Sequence, residues 1–195
     1  MRGPKGRRKP IGLRHTVSSP GAGPWVYQNV RVERNVVPDL ALTPFVESDV
    51  VELVVLQRCC WVQEAILNNT LNTPALHESA AEVLEWTTRW TVLCVRRKGR
   101  LVAAVRARPA GDAWEIGRLM VTPDLTGQGV GRWLLGRAEG LAPTTVSRFI
   151  LFTGRYSTRN IRLYQRAGYQ LCEPPAEAGG HIQGAVFLAK PAMSR

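Results

Sequence analysis

The stretch that decides the fold runs from Val121 to Arg132 and reads VTPDLTGQGVGR. It follows an apolar segment, passes through Gly127, Gly129 and Gly131, and leads directly into a helical pattern. Glycines let the backbone curl close to an anion, while exposed N–H groups and the positive end of a helix dipole bind the anion without side chains. The stretch therefore predicts a strand, an anion-binding loop and a helix, with a plain tight turn as the alternative.

A diphosphate fits the geometry of such a loop. Arg132, in the first helical turn, would add a charge-assisted contact to a phosphate oxygen. The stretch is not a Walker loop, because it lacks Gly-Lys followed by Ser or Thr, and it does not have the GxGxxG spacing of dinucleotide-binding proteins.

Working outward from the loop, hydrophobic periodicity predicts an alternation of strands and helices in the order β α α β β β α β α β β. The predicted strands cover residues 40–45, 90–96, 101–108, 113–121, 149–153, 169–172 and 185–190. The predicted helices cover residues 49–67, 77–88, 131–139 and 157–167. The strand over 149–153 is continuously apolar, as expected for an interior strand.

A second informative segment begins at Thr153 and ends at Tyr169. Asn160 and Tyr164 lie four residues apart in its predicted helix, so both project from one face of that helix toward the same space. A carboxamide and a phenol placed in this way can hold a ligand chain and reach a reacting atom. The alternative is that Tyr164 is a half-buried core residue and Asn160 is a helix cap.

Together these segments resemble the GNAT superfamily of acyl-CoA N-acyltransferases. Residues 119–123 and 126–131 are similar to its signature, an apolar run with Val-x-Pro followed by Arg/Gln-x-x-Gly-x-Gly/Ala, and Thr126 departs from the usual Arg or Gln. Residues 160–169 are similar to its second motif, Asn-x-x-x-x-x-Tyr-x-x-x-Gly-Phe/Tyr, in the shortened spacing Asn-x-x-x-Tyr that many members have. The resemblance covers roughly residues 39–190 and is weakest in the first two helices.

The resemblance implies a GNAT fold of the α/β (α+β) class. The expected sheet is central, mixed and mostly antiparallel, with about six to seven strands, helices on both faces, and a splay between the fourth and fifth strands. Acetyl-CoA is then the expected cosubstrate, with no metal. The residues implied to bind it are Leu119 and Val121 at the pantetheine, Thr126, Gly127, Gln128, Gly129, Val130, Gly131 and Arg132 at the pyrophosphate, and Asn160 at the pantetheine.

The resemblance also implies direct attack of a primary amine on the thioester in a ternary complex. Tyr164 is the expected donor to the leaving thiolate, because a phenol with a pKa near 10 stays protonated at neutral pH. Glu115 lies four residues before Leu119, where histone-acetylating members have the glutamate that deprotonates the amine. A solvated strand glutamate is the alternative for Glu115.

The net charge of +11 is concentrated at the N-terminus, where residues 1–38 carry eight basic residues and one acidic residue. Their richness in Pro, Gly and Arg predicts a disordered basic extension, followed by an acetyltransferase domain over residues 39–195. The extension has four interpretations: an arm that weakly contacts RNA or another polyanion, an organellar transit peptide, a product of a wrongly chosen start codon, and a solvated tail without specific function.

Partners and location follow from the same observations. No apolar run approaches the roughly 20 residues that span a bilayer, and the Arg, Ala and Gly bias is typical of a high-GC bacterial genome, so we expect a cytoplasmic bacterial protein without membrane contact. The four cysteines and three histidines lack metal-ligand spacing. The expected acceptor is a small-molecule or peptide amine of unknown identity, and the expected state is a monomer or homodimer. A non-catalytic module that binds RNA or protein through its basic arm is the competing hypothesis.

Overall fold

The computed structural model describes residues 38–175 and 184–192. The strands are β1 (Leu40–Pro44), β2 (Thr91–Arg97), β3 (Arg100–Ala110), β4 (Ala113–Val121), β5 (Arg148–Gly154), β6 (Gln170–Cys172) and β7 (Ala185–Pro191). The α-helices are α1 (Val50–Leu67), α2 (Pro74–His77), α3 (Ala80–Thr87), α4 (Val130–Glu139) and α5 (Thr158–Arg166). The basic extension predicted over residues 1–38 lies outside the described residues, apart from its last residue.

All seven strands belong to one sheet, in the order β1-β2-β3-β4-β5-β7-β6. Neighbouring strands are antiparallel except β4 and β5, which are parallel. A parallel pair needs a crossover connection, and α4 supplies it. The mixed, mostly antiparallel sheet predicted from the sequence is confirmed.

The sheet opens between β4 and β5. Only Ala113 to Glu115 of β4 pair with β5, so the rest of β4 has no partner on that side. The opening begins close to a bulge, where the pairing with β3 shifts register and Arg118 has a left-handed φ of 51°. The predicted splay between the fourth and fifth strands is therefore present.

Each face of the sheet has its own apolar core. On one face, Trp114 and Ile116 of β4 pack with Leu134 and Leu135 of α4, and Tyr164 of α5 belongs to the same cluster. The opposite face is covered by α1 and α3, whose buried residues pack on β2, β3 and Met120 of β4; the helical ones are Leu53, Val54, Leu56, Val83 and Trp86. Helices therefore flank the sheet on both faces, as predicted.

The helix predicted over residues 77–88 is present as α3 but begins three residues later than predicted. The chain is extended at Glu78, with a ψ of 129°, and α3 begins only after Ser79. Ser79 accepts a hydrogen bond from the backbone N–H of Glu82, and the Glu82 carboxylate binds the Ser79 N–H in return. This capping box fixes a new helix start and leaves the Glu78 side chain facing α1 and β4.

Within the described residues, none of the helices has both the length and the apolar character needed to cross a lipid bilayer.

Candidate acyl-transfer site

The glycine loop between β4 and α4 has the backbone shape that an anion cradle requires. Gly127 and Gly129 have φ values of 87° and 85°, in the left-handed region where glycine is favoured. Gly129 caps α4, and the first intrahelical bond runs from the Trp133 N–H to the Gly129 carbonyl. The N–H groups that precede Trp133 in the first turn are therefore not used by the helix and are available to a ligand.

Two side chains of the loop stabilise it from within. The Thr126 hydroxyl donates to the Thr122 carbonyl at 3.1 Å, and the Thr126 N–H donates to the Pro123 carbonyl at 3.2 Å. The Gln128 amide donates to the Asp124 carbonyl at 2.9 Å. Where the family has a long Arg or Gln, this chain thus has a short residue whose two donors are both engaged inside the loop.

The start of α5 lies directly against this loop. A Cβ atom added at Gly127 would come within 3.5 Å of the Arg159 guanidinium, and one added at Gly131 within 3.4 Å of Leu163. Arg159 and Leu163 each precede a predicted site residue, Asn160 and Tyr164. The structure therefore brings the two sequence motifs together. Arg159 is a cation beside the cradle that the sequence analysis did not single out.

The opening of the sheet lies next to the loop and contains Leu119 and Val121, the predicted pantetheine partners. The Val121 carbonyl accepts a hydrogen bond from the Cys60 thiol of α1, with an S to O distance of 3.4 Å. Burial raises the pKa of Cys60 to about 12. The thiol is therefore protonated at neutral pH and acts as a donor rather than a nucleophile.

Asn160 projects toward α1. Its amide donates to the Glu64 carboxylate at 3.0 Å and to the Thr153 hydroxyl at 3.4 Å. The Ser157 hydroxyl donates to the other oxygen of the Glu64 carboxylate. Glu64 thus ties the middle of the site to α1, and it is a second residue that sequence reasoning did not assign to the site.

Tyr164 lies one turn beyond Asn160 and is buried, with 8 % of its surface exposed. Burial raises the pKa of Tyr164 above its usual value of 10, and the negative charge of Glu64 raises it further. Its ring meets that of Tyr169 edge to face, with 6.2 Å between the ring centres. The phenol is therefore a rigidly held, protonated group.

The C-terminal end of α1 docks onto the corner between β5 and α5. Asn68 donates to the Ser157 hydroxyl at 2.9 Å and accepts from the Tyr156 N–H at 3.1 Å. The approach is close enough that a Cβ atom at Gly154 would lie 2.3 Å from the Asn68 side chain. Through Cys60, Glu64 and Asn68, α1 bridges the two strands that separate at the opening.

Glu115 lies on the face of β4 that α1 and α3 cover, three positions before the bulge. It forms an ion pair with Arg108 at 2.8 Å, and 15 % of its side chain is exposed. The structure thus places it on a different face of the sheet from Leu119 and Val121, which pack against the other core. In the described part of the chain, no three His, Cys, Asp or Glu side chains converge where a metal ion could be held.

Comparison with known proteins agrees with this geometry. Residues 56–169 match the acetyltransferase (GNAT) family. No curated protein matches the sequence at a significant level.

Solved structures share the fold at low sequence identity. The PaiA N-acetyltransferase of Thermoplasma acidophilum in complex with coenzyme A superimposes with a TM-score of 0.65 at 14 % identity, over 78 % of this chain and 98 % of that one. An acetyltransferase of Streptococcus agalactiae gives 0.66 at 14 % identity, over 80 % and 99 %. The ribosomal-protein-alanine N-acetyltransferase of Brucella melitensis gives 0.58 at 20 % identity, over 77 % and 99 %.

The family match spans more than half of the sequence and contains both the glycine loop and the segment from Asn160 to Tyr169. The fold, the opened sheet and the matched segment agree, and the chain belongs to the acetyltransferase (GNAT) family of acyltransferases.

Proposed function

We propose that the protein transfers the acetyl group of acetyl-CoA to a primary amine by direct attack within a ternary complex. One observation carries the proposal. The glycine loop, with its unused N–H groups, lies against the start of α5 and beside the opening between β4 and β5. A long ligand with a diphosphate at one end and a thioester at the other fits this arrangement.

On the cofactor side, each part of the site has a separate task. The loop N–H groups and the exposed Arg132 and Arg159 bind the diphosphate, because cations and helix N-termini both favour a negative group. The backbone of Leu119 and Val121 pairs with the pantetheine in the opening. Asn160 holds the same chain, once its amide exchanges one of its present partners for the ligand.

The reaction forms a C–N bond between the amine and the acetyl carbon and breaks the C–S bond of the thioester. The leaving thiolate takes the phenol proton of Tyr164, which the raised pKa of that residue keeps in place at neutral pH. The amine must lose one proton before it attacks and another afterwards. We assign the first to Glu115 acting through water, beside its ion-pair partner Arg108, and the second restores the phenol proton of Tyr164.

Direct transfer is supported by the state of the nearest cysteine. A covalent acetyl-enzyme needs a thiolate or an activated hydroxyl beside the thioester. Cys60 donates its S–H to the Val121 carbonyl, and its pKa of about 12 keeps it neutral. It is therefore not an activated nucleophile.

The test of the proposal is isothermal titration with acetyl-CoA, followed by release of free thiol in the presence of amines. We expect saturable binding with one site per chain, and thiol release that depends on the added amine. Absence of binding at millimolar acetyl-CoA would reject the proposal. Thiol release that stays constant when the amine is omitted would reject the ternary complex, because it would indicate hydrolysis through an acetyl-enzyme.

A further inference from the structure

A cluster of tryptophan and arginine side chains occupies the face of the sheet that α1 and α3 cover. The Arg106 guanidinium lies between two indole rings, 4.6 Å from the centre of Trp86 and 4.1 Å from that of Trp90. The other contacts are from Arg108 to Trp90 at 4.2 Å and from Arg118 to Trp61 at 5.2 Å. We call these six residues the Trp–Arg cluster: Trp61, Trp86, Trp90, Arg106, Arg108 and Arg118.

The Trp–Arg cluster carries an unpaired positive charge. Arg108 is paired with Glu115, and Arg118 is paired with Glu78 at 2.6 Å. Within residues 38–175 and 184–192, Arg106 has neither a carboxylate partner nor a hydrogen bond, and its Nε atom is completely buried. One Nη atom of Arg118 is likewise buried without a partner. Three guanidinium groups therefore face two carboxylates.

This surplus charge is energetically unfavourable in the isolated protein. Burial lowers the pKa of Arg106 to about 9, and the positive charge of Arg118 contributes to the shift. The two indole rings attract the cation but do not provide a hydrogen-bond acceptor for its buried Nε–H. An anion beside Arg106 and Arg118 would offer acceptors to the two guanidinium groups and reduce the repulsion between them.

The Trp–Arg cluster lies beside the opening where acyl transfer is proposed. Arg106 is directly opposite Gly117 across β3 and β4, and a Cβ atom at Gly117 would come within 3.4 Å of its Nε atom. The absent side chain therefore leaves room for the guanidinium. Arg118 immediately precedes Leu119 and lies in the part of β4 that β5 does not pair with. The cluster thus faces the opening from the side opposite the glycine loop.

We propose that the Trp–Arg cluster binds a carboxylate of the acceptor, so that the acceptor is a small amine that also carries a carboxylate, as amino acids do. The inference rests on the proposed function and adds the substrate class to it. Arg106 and Arg118 bind the carboxylate, and the indole rings of Trp61 and Trp86 pack against the carbon chain. The surplus positive charge disfavours polyamines and other polycations.

Matched acceptors test the inference, with thiol release from acetyl-CoA as the measurement. The first pair is 5-aminovalerate and pentylamine, which have similar chain lengths and amine basicities and differ in the carboxylate. The second pair is leucine and leucinamide. We expect kcat/KM to be at least about tenfold higher for the carboxylate member of at least one pair, since that member alone can form a charge-assisted pair with the guanidinium groups.

Variants locate the effect on the protein. Arg106→Gln should abolish the preference by lowering kcat/KM for the carboxylate member only, and its affinity for acetyl-CoA should stay unchanged. Arg89→Gln is the matched control, because Arg89 is an exposed arginine paired with Glu85 on the same side of the sheet. Should Arg106→Gln fail to bind acetyl-CoA, Arg106→Lys replaces it, and a reduced preference is expected because an ammonium lacks the planar fork.

The outcomes separate this inference from the proposed function. Two outcomes overturn the inference while acetyl-CoA binding stays intact. One is turnover of pentylamine and leucinamide that equals or exceeds that of 5-aminovalerate and leucine. The other is the absence of any turnover of 5-aminovalerate and leucine. A preference that is as large in the Arg106 variant tested as in the wild type also overturns it. Failure of the wild type to bind acetyl-CoA removes the proposed function, and the inference with it.

Discussion

The two sides of the opening between β4 and β5 are formed by different chemical groups: backbone groups on one side and side chains on the other. On the side of α4 and α5, glycines and backbone N–H groups within a few residues of each other form the loop. On the side of α1 and α3, side chains far apart in sequence form charged contacts, such as those of Glu78 with Gln57 and with Arg118. The backbone half of the site is therefore determined by local sequence, and the side-chain half by tertiary folding.

The largest effect should come from breaking the backbone half. Gly129→Val forces a β-branched residue into the left-handed region at the start of α4. Strain and lost N–H contacts of about 4 kcal/mol together would weaken acetyl-CoA binding by on the order of 1,000-fold, measured by titration calorimetry.

The matched control lies in the same helix. A Cβ atom at Gly136 meets no neighbouring atom within 4 Å, so Gly136→Ala should leave the affinity unchanged. Equal affinities for the two glycine variants would contradict the view that the loop backbone binds the diphosphate.

The second effect concerns chemistry rather than binding. Tyr164→Phe removes the phenol proton but keeps the ring in its buried position, so it should lower kcat by on the order of 100-fold and change the acetyl-CoA dissociation constant by less than about twofold. Steady-state kinetics with a titration on the same preparation separate the two quantities. An unchanged kcat would remove Tyr164 from the mechanism.

The third effect tests the side-chain half through the docking of α1. Gly154→Ala would place its methyl group against Asn68, so we expect a loss of stability of about 2 kcal/mol, visible as a lower Tm. Adding Asn68→Ala to this variant should recover part of the loss because the obstructing side chain is gone. If the double variant is less stable by the sum of the two single effects, the two residues do not interact as described.

The smallest effect is expected outside both halves. Removal of residues 1–37 should change kcat/KM by less than about twofold, because every contact described at the site involves residues between Cys60 and Tyr169. Turnover is measured on the shortened and the full chain with the same acceptor. If the shortened chain loses turnover together with a salt-dependent affinity for RNA, the basic segment instead contributes to the activity.

Most of the fold could be predicted because its signals are local. The strand periodicity of β2 and β3, the Lys98-Gly99 turn between them and the helix after the glycine loop are all determined by neighbouring residues. The start of α3 was predicted three residues too early for a physical reason. The residues before Ala80 are held outside the helix by contacts of Glu78 with Gln57 and Arg118, which are distant in sequence.

The candidate site divides in the same way. Gly127, Gly129 and Tyr164 were predicted from short motifs, and the structure brings their segments together. Glu64 and Arg159 were not, because a glutamate in an amphipathic helix and an arginine at a helix start look like ordinary solvated residues. Only the packing of α1 and α5 around the opening gives them partners.

The bulge at Arg118 interrupts the alternation of side chains between the two faces of β4. Glu115 and Gly117 face the Trp–Arg cluster, and so does Arg118, although it directly follows Gly117. The extra residue therefore lets β4 present two consecutive residues, Gly117 and Arg118, to the Trp–Arg cluster before Leu119 and Val121 return to the other face. Deleting Arg118 would restore strict alternation, so Leu119 and Val121 would keep their face and the Trp–Arg cluster would lose one of its three guanidinium groups.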